Sequence, residues 1–329
     1  MAAVAFAAGV VILLVLTWEV FQTALVTAGG GGPVTGAVTS WLWRLLRRAA
    51  GGSHRLLSLL GPAVAFSGLL LWVGAAWLGW WLVFLSGASV EASTTGHPAD
   101  AWERCYFVGY TLTTLGNGEF RPTGPGWQLA TVLTSATGLT LATLILSYLV
   151  SLVSAVVQER SLAVLVHALG ERPERICARA WNGDDFTAIV PQLNSLNSAI
   201  AALARRHTAY PVLSYFHSRH RAEASAPNLA VLDEALTLMC HAVPPDNQLR
   251  GFTVTQTRAA IAELVATGVR GDGDGPPPVP SPRVLDSQGI PTVDPAEFER
   301  VFRDHDQRRS ALAALLRHQG WDWKNVHPA

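Results

Sequence analysis

Three long runs almost free of charge decide what this 329-residue chain can be. A bilayer core of about 30 Å takes roughly 20 apolar residues in a helix, whereas a water-soluble fold has little use for three such runs. The first runs from about 4 to 26 and holds one acid, Glu19. The second, about 61–85, and the third, about 127–157, hold no charge. Of the 48 Asp, Glu, Lys and Arg side chains, 11 precede residue 158 and 37 follow it, so the chain reads as a membrane half and an aqueous half. Trp80, Trp81 and Trp127 fall near the expected span ends, where indole rings favour the interface.

Composition removes other classes. The formal net charge is zero, which gives no reason to expect nucleic acid as a partner. Half of the residues are hydrophobic, so global disorder is excluded. Three Cys cannot build a disulfide framework. The first run lacks the basic start of a secretory signal, so it reads as an uncleaved span.

Loop charges orient the spans. The first loop carries Arg44, Arg47, Arg48 and Arg55 and no acid, and the second mixes Glu91, Asp100, Glu103, Arg104, Glu119 and Arg121. The basic loop belongs in the cytoplasm, which puts the amino terminus outside and the carboxyl-terminal half inside. The stretch 39–60 reads as an interfacial amphipathic helix rather than a voltage-sensor fragment, because its Arg residues sit beside Gly51 and Gly52 and not in a span.

The chemistry concentrates between the second and third spans. Residues 101–113 are apolar and aromatic enough for a short buried helix. Gly116, Asn117 and Gly118 continue it poorly, and Pro122 ends the segment. Backbone that leaves a helix at membrane depth must pack in protein or line a wet path. Alternating Gly permits angles that turn successive carbonyls one way, and such carbonyls replace the hydration shell of a cation. The Thr114 hydroxyl adds an oxygen, and the carboxyl end of the short helix favours a cation. An ordinary Asn-Gly turn is the bland alternative, which the flanking uncharged spans disfavour.

The stretch 111–119, TLTTLGNGE, with its aromatic short helix between two spans, resembles the pore domain of the potassium-channel superfamily over about 61–157. The resemblance implies that Thr114, Leu115, Gly116, Asn117 and Gly118 are a selectivity filter for permeant potassium. It further implies that Thr113, Glu119, Tyr110 and Phe107 support the filter, and that Gly138 is an inner-helix hinge. Leu146, Val150 and Ser154 match positions of a possible gate. Tyr106 and Phe107 match a pair of pore-helix aromatics. It also implies a homotetramer, since one chain supplies one filter strand. Asn117 stands where the family has Tyr or Phe, which leaves the outer ion site wider or wetter. Tyr110 stands where some members carry Glu, so a carboxylate-to-backbone clamp is missing.

Other groups have bland and sharp readings. Thr131, Thr134, Ser135, Thr137, Thr140, Thr143, Ser147, Ser151 and Ser154 of the third span line a wet cavity or bond back to their own helix. Glu19 is a functional candidate by default or snorkels to the interface. The aqueous half shows helical periodicity at 193–207, 229–241, 254–265 and 298–318. Asp272 and Asp274 do not complete a calcium loop, and no dinucleotide fingerprint appears. His207, His217 and His220 read as surface or packing residues, with His217 and His220 on one face if helical. Cys105, Cys177 and Cys240 read as structural.

The expectation is an all-α membrane protein of three transmembrane helices, with a re-entrant pore helix and filter, plus a mainly helical cytosolic domain. Its parts are an amino-terminal span (1–27), a cytoplasmic linker with the interfacial helix (28–60), a pore domain (61–157) and a cytosolic domain (158–329) with a flexible linker near 271–290. It is no enzyme, since no nucleophile–base pair appears, and it takes no cofactor or structural metal. It lies in the cell membrane, with the lipid bilayer and its own copies as partners and no partner identifiable for the tail. A weakly selective cation channel and a membrane-anchored scaffold with a vestigial pore are the rival readings.

Overall fold

The computed structural model describes residues 1–24, 32–51, 53–268 and 275–327. The end of the first run, Gly52, Asp272 and Asp274 lie outside the described residues. The fold is an all-α membrane protein with a helical carboxyl-terminal region. Among the described residues, three helices are long and apolar enough to cross a membrane: α1 (Ala2–Ala24), α3 (His54–Leu85) and α5 (Pro125–Leu169). At 1.5 Å per residue, α3 and α5 are about 48 and 68 Å long, well beyond a core of about 30 Å. Both helices therefore run past the spans expected from hydropathy. The amphipathic helix expected within 39–60 is α2 (Pro33–Ala50), and residues 54–60 belong instead to α3, which starts seven residues before the expected span, with Pro62 inside it.

The chain divides into two compact units, Met1–Leu42 with Ala63–Leu152, and Trp43–Pro62 with Val153–Ala329. In the first unit α1 and α3 cross at small residues. A Cβ on Gly9 would lie 2.6 Å from the Gly79 carbonyl oxygen, and one on Gly79 would lie 2.9 Å from Leu13. Close backbone approach of this kind is how helices associate where lipid is as apolar as leucine.

Glu19 is neither at a surface nor free. It is 4% exposed, and its carboxylate accepts from the Val34 and Thr35 amides and the Thr35 hydroxyl, each at 2.9 Å. These are early amides of α2, which otherwise lack partners and carry the positive end of the helix dipole. The Trp72 indole of α3 donates to the same Thr35 hydroxyl at 3.0 Å. Glu19 thus caps α2 from a neighbouring helix.

Trp80 departs from the interfacial expectation. It is buried, and its indole donates to Thr137 on α5 at 3.3 Å. Trp127 packs at a tilt against Phe84, ring centroids 5.6 Å apart, and fills the space beside Gly87.

In the second unit, α6 (Pro173–Ala180), α9 (Phe252–Gly268), α10 (Pro295–Arg303) and α11 (Asp306–His318) pack around α8 (Ser225–His241), and α7 (Val190–Ala209) packs on α9. All of α8 from Ser225 to Cys240 is buried. Its acids are matched: Asp233 accepts from Arg308 at 2.9 Å, and Glu234 accepts from Arg309 at 2.7 Å. Arg309 is 0% exposed, donates to the Pro277 and Pro278 carbonyls, and lies 4.4 Å over the Phe302 ring. The described part of the expected flexible linker is therefore held, with Leu285 and Ile290 buried in the core.

The periodic stretch 298–318 is two helices, broken at Asp304 and His305, both weak helix formers. His217 and His220 are not helical, so they share no helix face. Cys177 and Cys240 are free and buried, and burial pushes both thiols up, away from reactivity.

Candidate functional site: the stretch 113–119 and its cradle

The site begins with α4 (Ala101–Leu112). Asp100 accepts from the Glu103 amide at 2.8 Å, and Glu103 accepts from the Asp100 amide at 2.8 Å. This reciprocal box fixes where the helix starts. Residues Phe107 to Leu112 are buried. Two indoles of α3 clasp the helix, Trp77 donating to the Cys105 carbonyl at 3.0 Å and Trp81 to the Ala101 carbonyl at 2.9 Å. Gly109 leaves room for Trp77, whose ring a Cβ would strike.

The helix ends on Thr113. The Leu115 amide donates to the Tyr110 carbonyl at 2.8 Å and the Thr114 amide to the Thr111 carbonyl at 3.1 Å. This pair of bonds is the Schellman ending, which needs a left-handed residue at the position Thr114 occupies. Thr114 has φ +59° and is the lone non-glycine with positive φ among the described residues. The left-handed region costs an L-residue about 1–2 kcal/mol, and a β-branched side chain makes it a true outlier. Gly116 and Gly118 follow at φ +58° and +75°. The sign of φ therefore alternates from Thr114 through Gly118.

Among the described residues, no backbone N–H donates to the carbonyls of 114–118. Residues 113–119 are all exposed in the single chain, Leu115 at 69%. Behind them lies a groove of about 430 Å³, lined in part by Phe107, Tyr110, Thr114, Gly118, Thr131 and Ser135.

The cradle answers two expectations drawn from the family. Tyr110 lacks a carboxylate, yet its phenol donates to the Phe120 carbonyl at 3.0 Å, so side chain and backbone are tied by another group. Asn117 does not point into empty space. Its amide donates to the Tyr106 hydroxyl at 2.7 Å. Tyr106 in turn packs edge-on against Tyr110 at 5.2 Å and Phe120 at 6.3 Å. Phe107 packs edge-on against both Phe84 and Tyr110 at 5.3 Å. The Glu119 carboxylate is exposed and 3.4 Å from the Asn117 amide nitrogen.

A two-stranded ribbon, β1 (Val90–Ala92) with β2 (Phe120–Pro122), closes the loop, and Arg121 meets Glu91 across it at 2.8 Å. Sequence reasoning missed this ribbon. Its signal was the pair of opposite charges in two segments too short to show a strand period.

Gly138 lies inside the unbroken α5. A Cβ there would overlap the Leu112 carbonyl oxygen, so its bareness lets α5 lie against the end of α4. Thr131, Thr134, Thr137, Thr143 and Ser151 bond back to carbonyls four residues earlier on α5. Leu146, Val150 and Ser154 are exposed at four-residue spacing on the same helix. No group of three or more His, Cys, Asp or Glu with metal-holding geometry occurs among the described residues.

A family described as ion channel matches residues 67–155, which take in the cradle, the stretch 113–119 and much of α3 and α5. The "Uncharacterized membrane protein YdjJ" of Bacillus subtilis (strain 168) is 33% identical over 320 residues, covering 96% of this chain and 94% of that one. No solved structure matches the chain. This multi-pass membrane protein therefore belongs to the family that includes YdjJ, and its residues 67–155 are a pore domain of the potassium-channel superfamily.

Proposed function

We propose that four copies of the chain assemble around an axis and conduct potassium passively through Thr114, Leu115, Gly116, Asn117 and Gly118. The observation that carries this reading is the row of carbonyls at 114–118, which has no backbone donor and alternates in the sign of φ. An unpaired carbonyl at membrane depth costs free energy comparable to a lost hydrogen bond. A dehydrated cation held between such rows supplies the missing partner. Alternating φ sign is the backbone pattern that keeps successive carbonyls on one side.

The single chain leaves large apolar side chains of α5 uncovered, among them Leu129, Val132, Leu139 and Leu146. Together with the groove behind the stretch, this supports neighbouring copies. In that assembly the permeant ion is the one bound group, Thr113, Glu119, Tyr110 and Phe107 hold the filter, Gly138 is where α5 bends, and Leu146, Val150 and Ser154 form the gate. The basic end of α2 lies inside, with the amino terminus outside and the carboxyl terminus in the cytoplasm.

A weakly selective monovalent cation channel is the second reading, favoured by the small, exposed Asn117 in place of an aromatic ring. The test is potassium flux through liposomes carrying purified protein, against Gly116→Ala. Wild-type flux with none from the variant is expected, and equal flux from both overturns the reading. Replacing potassium by sodium separates the two versions, since equal permeability selects the weakly selective one.

A further inference from the structure

The second unit contains a histidine pair whose hydrogen bonds admit one proton but not two. His217 Nδ1 lies 2.6 Å from the Gln319 carbonyl oxygen. A carbonyl only accepts, so Nδ1 carries the hydrogen. His217 Nε2 lies 2.8 Å from His54 Nδ1. With His217 neutral, Nε2 is bare, and His54 must donate to it. The order of donation therefore runs from His54 through His217 to Gln319.

One added proton fits this chain. On His54 it occupies the far nitrogen and leaves both bonds intact. On His217 it reverses the His54 tautomer, and His217 donates to a bare Nδ1. A second proton fits nowhere: two N–H groups then face each other across 2.8 Å, between two cations.

The pair sits at a junction. His54 is the first residue of α3, and His217 lies in the loop before α8. Trp321 packs on both rings, with centroids 4.7 Å from His54 and 5.6 Å from His217. Arg47 of α2 donates to the Arg317 carbonyl at 2.6 Å. A Cβ on Gly61 of α3 would stand 2.8 Å from both the Tyr215 carbonyl oxygen and the Phe216 Cα. Segments 215–217 and 317–321 thus grip the end of α2 and the first turns of α3.

The titratable and charged groups acting on His217 are His54 of α3 and Arg47 of α2, and Arg47 also acts on His318 of α11. Both oppose added positive charge on their targets. Burial holds the His217 imidazole below its ordinary value of 6.5, Gln319 pulling the other way, and burial also lowers His318.

We propose that this grip is an acid-released latch, in which double protonation of His54 and His217 frees the carboxyl-terminal segment from the start of α3. The sign follows from linkage. A group whose folded pKa is depressed contributes stability that is complete above its unfolded value and lost as pH falls through the folded one. The latch therefore holds above pH 6.5 and weakens below it.

The test is hydrogen exchange of the full-length protein in lipid nanodiscs, from about pH 8 to about pH 5, across the ordinary imidazole range and corrected for intrinsic rates. Protection of 54–61 and 317–321 is expected to fall about tenfold or more while α8 stays protected. The His54→Gln variant keeps a side-chain amide that donates or accepts as needed and cannot charge, so its latch is expected to stay closed across the series. Constant protection in the wild type, or release of His54→Gln at the same pH, overturns the proposal. Simultaneous loss in α8 overturns it as well, by assigning the transition to global unfolding.

Discussion

Helix α8 and the stretch 114–118 treat their polar groups in opposite ways. Along α8, Asp233 and Glu234 are fully buried and each meets an arginine, while Thr237 donates to the Asp233 carbonyl at 2.9 Å. In the stretch 114–118 the side chains are exposed, the backbone alternates in handedness, and the carbonyls have no backbone donors. A region whose charges are paired within one chain serves stability. Strained backbone with carbonyls left open points to function rather than stability.

Substitutions in the two regions should therefore separate transport from stability. The largest effect is expected from Gly116→Ala. Its φ of +58° is hostile to a Cβ, at about 1–2 kcal/mol in every copy. Liposome flux should fall to background while the thermal unfolding of the helical tail is unchanged. Arg309→Leu should do the reverse. It strands Glu234 without its buried guanidinium, at a cost of about 3–5 kcal/mol, readable as a lower urea midpoint. An equal loss of tail stability from both variants would erase the contrast.

Gly138→Ala should sit between these. The added methyl must displace α5 from the Leu112 carbonyl, and overpacking of this kind costs about 1–3 kcal/mol. Reduced flux with an intact tail is the expected outcome. Glu19→Ala removes the cap of α2, worth about 0.5–2 kcal/mol, and should lower the thermal stability of the solubilised protein without changing ion preference. The smallest effect is expected from Tyr106→Phe. It removes one hydrogen bond of about 0.5–1.5 kcal/mol to Asn117, and should shift the sodium-to-potassium permeability ratio by about tenfold or less.

How much of this was legible in the sequence follows from the range of each interaction. The short buried helix expected at 101–113 is found at Ala101–Leu112, because apolar content and the following Gly-Asn-Gly are local signals. The third span was visible, but its continuation as helix to Leu169 was not, since charge marks the end of a span and not the end of a helix. Helix α8 was read from 229 and begins at Ser225, because a helix buried all round has no polar face to mark its register. The cap by Glu19 was beyond reach, because its partners Val34 and Thr35 belong to a different helix. The same holds for His54 with His217 and for Glu234 with Arg309, which only the folded chain brings together. At the site, the residue types of 113–119 are plain in the sequence, whereas the Tyr106–Asn117 and Tyr110–Phe120 bonds are not. Those depend on where α4 ends and how the chain turns back.

The most direct measurement is the structure of the assembled protein in lipid, at a resolution that traces the main chain of 114–118. Fourfold symmetry is expected, with those carbonyl oxygens turned toward the axis. An assembly of another symmetry, or one in which 114–118 face lipid, would contradict it.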